Sequence, residues 1–164
     1  MRNRPCAVLL VCTILPLIVA AGAFGSTSKP ARVLKLVSRG NEFTMVGFPA
    51  DKSQPPPVGA GYLLQTALFN RTAQFGKPTG ARVGSVELQC VLASSLRTLC
   101  TGVAHLPDGF ITLTGANLTE GGPTEWYAAT GGVSAYVNRH GQIKATDVGG
   151  QNANKTIVTI TLYG

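Results

Sequence analysis

From residue 81 to 92 the chain reads ARVGSVELQCVL, and its apolar side chains recur at every second position. Val86, Leu88, Cys90 and Leu92 fall on one face, Ser85, Glu87 and Gln89 on the other. A period of two fits a half-buried strand and no helix. The stretch from Ile157 to Tyr163 does the same, with Val158, Ile160 and Leu162 set against Thr159 and Thr161. Turn signals punctuate the chain between these segments, among them Leu106-Pro107-Asp108-Gly109 and Gly131-Gly132. Twenty glycines, ten prolines and 13% charged residues suit many short strands joined by tight turns. Strands are predicted at 32–37, 42–48, 61–69, 81–92, 99–105, 110–115, 125–130 and 156–163, with a hairpin of 135–138 and 142–147 before the last. No helical period of useful length occurs. The pattern predicts an all-β fold of about eight strands, and a barrel or sandwich manages its exposed edges.

The first 23 residues have a different character. Arg2 and Arg4 precede an apolar run from Ala7 to Ala21, and Ala21-Gly22-Ala23 follows. That order is the pattern of a secretory signal cleaved before Phe24. The run is short for a membrane span, which needs about 20 apolar residues, and Pro16 interrupts it. The expected organisation is a signal peptide at 1–23, a leader with a first strand at 24–41, and a β-barrel domain at 42–164. The expected location is outside the cytoplasm, with no stable membrane insertion.

Cleavage would remove Cys6 and Cys12, leaving Cys90 and Cys100 on neighbouring segments. In an exported chain such a pair is expected to form a disulfide. Their spacing does not suit a zinc pair and no histidine cluster accompanies them, so no metal site is expected. The formal charge of +7 falls by two without Arg2 and Arg4, and the remaining bases are scattered. No basic stripe interleaved with aromatics points to nucleic acid.

An ordered series of short motifs runs through the second half. Phe75-Gly76-Lys77-Pro78-Thr79-Gly80 precedes Gly84 to Cys90 and Cys100-Thr101-Gly102. His105-Leu106-Pro107-Asp108-Gly109-Phe110-Ile111, Gly115 and Ala129-Thr130-Gly131-Gly132 follow, then Tyr136, Asn138 and Gly141. The series resembles the allene oxide cyclase and dirigent barrel superfamily, most nearly its secreted bacterial branch, over residues 42–164. The resemblance implies an eight-stranded antiparallel barrel of calycin-like form with an apolar pocket, often oligomeric in plant members. Three positions depart from the family pattern. Gly59-Ala60 lacks the usual acid, Gly131-Gly132 continues as Val133-Ser134, and Arg139-His140-Gly141 replaces Ala-Arg-Gly. The paired aspartates of plant dirigent proteins and the catalytic positions of the plant cyclases find no clean match. Fold therefore transfers more readily than activity.

Candidate chemistry is sparse. Tyr62, Trp126, Tyr127 and Tyr136 have the size and polarity to wall a ligand pocket, and the same residues serve equally as packing. Glu87 would polarise a ligand if its face lines a lumen, and would be a solvated strand residue if the other face does. Glu87 and Tyr62 are accordingly the candidate catalytic residues. His105 and His140 lie beside turns and lack nucleophile partners. Asn70, Asn117 and Asn154 begin N-glycosylation sequons in predicted loops.

Three functions fit these observations. One is a secreted barrel that binds a small apolar or aromatic molecule and steers its cyclisation or coupling. Another, by resemblance, is an allene-oxide-cyclase-like intramolecular cyclase or isomerase needing neither metal nor cofactor. The last is a non-catalytic scaffold or surface-interaction protein, and homo-oligomers fit any of the three.

Overall fold

The computed structural model describes residues 30–118, 122–148 and 155–164; the signal-peptide segment and Asn154 lie outside them. Eight strands form one closed antiparallel barrel in sequence order: β1 Arg32–Val46, β2 Gly61–Asn70, β3 Arg82–Ser94, β4 Arg97–Leu106, β5 Gly109–Leu118, β6 Thr124–Gly132, β7 His140–Asp147 and β8 Lys155–Tyr163. Pairing of β1 with β8, from Arg32↔Leu162 to Arg39↔Lys155, closes it. The alternation read from the sequence fixes which face turns inward. Leu34 and Leu36 of β1, Leu88 and Cys90 of β3, and Val158, Ile160 and Leu162 of β8 all join the buried core.

Two elements differ from the sequence expectation. The strands predicted at 32–37 and 42–48 are one strand, so the boundary drawn at residue 41 falls inside β1. The register on β2 slips between Arg39 and Glu42, and Gly40 takes φ +72° there. A bulge of this kind interrupts the alternation without ending the strand. The Thr66 hydroxyl donates to the Arg39 carbonyl (3.1 Å) and holds the bulge in place. The other difference is residues 135–138, expected as a hairpin strand. A single 3-10 turn, Ser134–Tyr136, stands there instead. Ser134 and Asn138 take φ of +57° and +59°, which no extended strand allows.

Cys90 and Cys100 face each other in register on β3 and β4 and form a disulfide with an S–S distance of 2.02 Å. Both are fully buried. Closing a loop of this length stabilises by about 2–3 kcal/mol in the chain-entropy account.

The two ends of the barrel are unlike. At one end the 3-10 turn and the β2–β3 connection supply a plug. The Arg32 guanidinium lies between the rings of Phe75 (5.2 Å) and Tyr136 (5.3 Å) and pairs with Asp108 (2.6 Å). The buried Tyr136 hydroxyl donates to the other oxygen of Asp108. This is the role of the aspartate in the Leu-Pro-Asp-Gly turn. Partial burial works to raise the Asp108 carboxyl, but the bonds from Tyr136 and Arg32 outweigh it and hold the group below its ordinary range. Asn70 braces the same end. Its amide nitrogen donates to the carbonyls of Gln74, Lys77 and Pro78 at 2.9, 3.0 and 3.2 Å. Asn70 is thus buried and engaged, where a loop sequon was expected. At the opposite end β1 outruns β8, because the β1–β8 ladder stops at Arg39 while β1 continues along β2 to Val46. Phe43 and Met45 are left exposed there.

Candidate functional site

A lumen cavity of about 190 Å³ lies toward this second end. Leu64, Val86, Leu88, Leu113, Ile143, Ala145 and Val158 form its apolar walls. Small side chains such as Ala145 leave the space. One sector of the wall is polar, and strand β6 supplies most of it. Glu125 and Tyr127 are two residues apart on one strand, so they share the inward face. The Tyr127 hydroxyl donates to Glu125 Oε2 (2.6 Å) and accepts from Asn117 Nδ2 of β5 (3.0 Å). These bonds bridge β5 and β6 where their ladder has ended, beyond Thr114↔Ala128. Gly115 permits the arrangement. A Cβ there would meet the Tyr127 ring at 2.7 Å and the Trp126 carbonyl oxygen at 2.9 Å.

Tyr62 of β2 lines the same cavity, edge-on to Phe43 with ring centroids 5.8 Å apart. Burial, and then the nearby negative charge of Glu125, push its phenol up from the ordinary tyrosine value. Burial pushes Tyr127 up further, reinforced by its bond to Glu125 and that residue's charge, with the Asn117 bond opposing. Both phenols are therefore protonated donors across the physiological range. Tyr62 makes no hydrogen bond among the described residues, and its hydroxyl stands at the cavity wall. Ser38 and Thr66, 2.7 Å apart, add a buried hydroxyl pair, and Asp147 stands at the rim with the Thr156 hydroxyl on it (2.6 Å).

Of the four aromatics expected at the pocket, the lumen brings together Tyr62 and Tyr127. Trp126 precedes Tyr127 and so points the other way, onto the outer wall, where it is half exposed beside Lys144 (5.5 Å). Tyr136 belongs to the closed-end plug. Glu87 is also outside. Its strand turns Val86 and Leu88 to the lumen, and Glu87 borders a broad, open depression of about 870 Å³ with Glu42, Gln89 and Thr101. His105 and His140 are exposed. Glu125 was not among the sequence candidates. The signal was present in Glu125-Trp126-Tyr127, since strand parity forces glutamate and tyrosine to one face and tryptophan to the other.

No family model and no curated protein matches the sequence. Solved structures do. A pyocyanin demethylase superposes with a TM-score of 0.59 at 20% identity, covering 80% of this chain and all of its own. A pterocarpan synthase dirigent protein gives 0.59 at 14% identity over 82% of this chain and 97% of its own. The fold is the dirigent-type barrel. The Diels–Alderase AbmU from Streptomyces koyangensis shares it, with a TM-score of 0.61 at 11% identity over 80% of this chain and 63% of that one. At such identities the likeness is one of fold, and the site must speak for its own chemistry.

Proposed function

We propose that this dirigent-type barrel is an exported protein that takes a small aromatic or apolar molecule into its lumen and steers that molecule's cyclisation or coupling. The observation that carries this reading is an apolar lumen lined by Tyr62 of β2 and, across it, by Glu125 and Tyr127 of β6. The cavity is smaller than the roughly 300–1,000 Å³ typical of sites for drug-sized ligands. A compact ring system with a polar edge suits it. The apolar walls would fix the plane of the ring. Tyr62 would donate to an oxygen or nitrogen on its edge, and Glu125 would accept from a hydroxyl or N–H. Holding a reactive molecule in one folded geometry lowers the entropic part of its barrier.

The juxtaposition of Glu125 with two protonated phenols also favours a second reading, an isomerase or cyclase. The carboxylate would take a proton while Tyr62 stabilises the charge that develops on the ligand. Solved barrels of this fold are named for a demethylation, a pterocarpan synthesis and a Diels–Alder reaction. Such a range supports a lumen whose chemistry is set by a few residues. Export and loss of residues 1–23 belong to the same reading, supported by the Cys90–Cys100 disulfide, which is at home in an oxidising compartment. Native mass spectrometry of protein purified from its own host tests the proposal. One small-molecule adduct per barrel is expected, and it should be absent from Ala145→Phe, which fills the lumen. A barrel that never carries an adduct, or an adduct that survives Ala145→Phe, would count against it.

A further inference from the structure

The outer wall carries a second cleft where β1 bulges, and Thr66 borders both it and the lumen. The cleft measures about 470 Å³, and Arg39, Gly40, Glu42, Gln65, Ala67, Phe69, Arg82 and Ser85 surround it. Its depth has a sequence cause. Ala67 and Ser85, in register on β2 and β3, are small, and the longer side chains around them become walls. Arg39 stacks its guanidinium over the Phe69 ring at 5.3 Å from the centroid. Arg82 is the register partner of Phe69 on β3. Both arginines thus line one cleft, one of them stacked on an aromatic ring.

Among the described residues neither arginine pairs with a carboxylate. Among the described residues the one ion pair is Arg32–Asp108 at the closed end. Glu42 also lines the cleft, on the Gln65 side, and pairs with neither arginine. A guanidinium stacked on an aromatic ring keeps its N–H edge free for an acceptor. The bulge contributes as well, since Gly40 and Asn41 have no ladder partner on β2. Ser85 offers a hydroxyl from the floor.

We propose that this cleft is a binding site for a tetrahedral oxyanion, a phosphate or sulfate group, held between Arg39 and Arg82. Two forked cations match a dianion with several acceptor oxygens better than they match a single carboxylate. Glu42 limits the site to one such group, because a second negative charge would meet its carboxylate. Neither arginine lines the lumen cavity.

Titration of the ¹⁵N-labelled protein with inorganic phosphate tests the proposal, with sodium chloride at matched ionic strength as control. Saturable amide shifts centred on Gly40, Arg82 and Ser85 are expected with phosphate and not with chloride. The double variant Arg39→Gln/Arg82→Gln should weaken binding by about tenfold or more. Both side chains are exposed, and an unchanged thermal midpoint would show that the variant folds. Glu42→Gln should tighten phosphate, since it removes the one like charge in the cleft. Shifts that grow linearly without saturating, that chloride reproduces, or that persist in the double variant would overturn the assignment.

Discussion

Stability should fall steeply above about pH 10, by about 1.4 kcal/mol per pH unit for each phenol that stays protonated in the folded barrel. Tyr62, Tyr127 and Tyr136 all have their phenols pushed up, in each case chiefly by burial. The direction of the effect follows from the proton balance. Below the unfolded value near 10, each phenol is protonated in both states and its contribution to stability is whole. Above it the unfolded chain releases protons that the folded barrel retains, so unfolding is favoured as pH rises toward the folded-state values. Urea midpoints between pH 8 and pH 11 would read this out. Tyr127→Phe should make the decline shallower by removing one such group. A stability that stays level to pH 11 would contradict the burial and bonding described for these tyrosines.

Tyr136→Ala should lose about 3–5 kcal/mol, the range for truncating a buried aromatic. The ring is fully buried and forms one side of the sandwich around Arg32, and its hydroxyl is bonded to Asp108. Tyr136→Phe keeps the ring and loses the bond, so it should cost about 1–3 kcal/mol. Chemical denaturation of the two variants checks both figures. The placement of Tyr136 predicts that these losses come without direct loss of lumen contacts. If Tyr136→Ala were as stable as the wild type, the plug would not hold the closed end as described.

The position of Tyr136 illustrates what the sequence made legible and what it did not. Alternation in 81–92 and 157–163, with regular turns, was enough to give strands and a barrel or sandwich, and the resemblance singled out the barrel. It works because a strand with one wet and one dry face must alternate. The β1 bulge and the 3-10 turn were not legible, because both depend on backbone angles that side-chain periodicity does not encode. Gly40 hinted at the first, but Ser134 and Asn138 adopt left-handed angles with ordinary side chains. Long-range pairings were harder still. Nothing in Arg32 or Asp108 alone shows that the ends of 76 residues of chain meet. The candidate site divided along strand parity. Tyr62 and Tyr127 are in the lumen, Trp126 and Glu87 are outside, and Glu125 was recoverable from its spacing to Tyr127. Parity assigns faces only relative to a neighbour, so one inward residue per strand has to be known before the rest follow.

The claim at the centre of this account is that the lumen holds a small ring system against Tyr62 and Glu125. The most direct measurement is a fluorescence titration with 2-naphthol, a neutral bicyclic phenol whose hydroxyl can accept from Tyr62 or donate to Glu125. Saturation at one molecule per barrel is expected. Tyr62→Phe or Glu125→Gln should weaken binding about tenfold, as for loss of one charge-assisted or buried hydrogen bond, and Ala145→Phe should abolish it while the barrel stays folded. Binding that never saturates, or that Ala145→Phe leaves intact, would contradict a ligand-binding lumen and leave the barrel a scaffold.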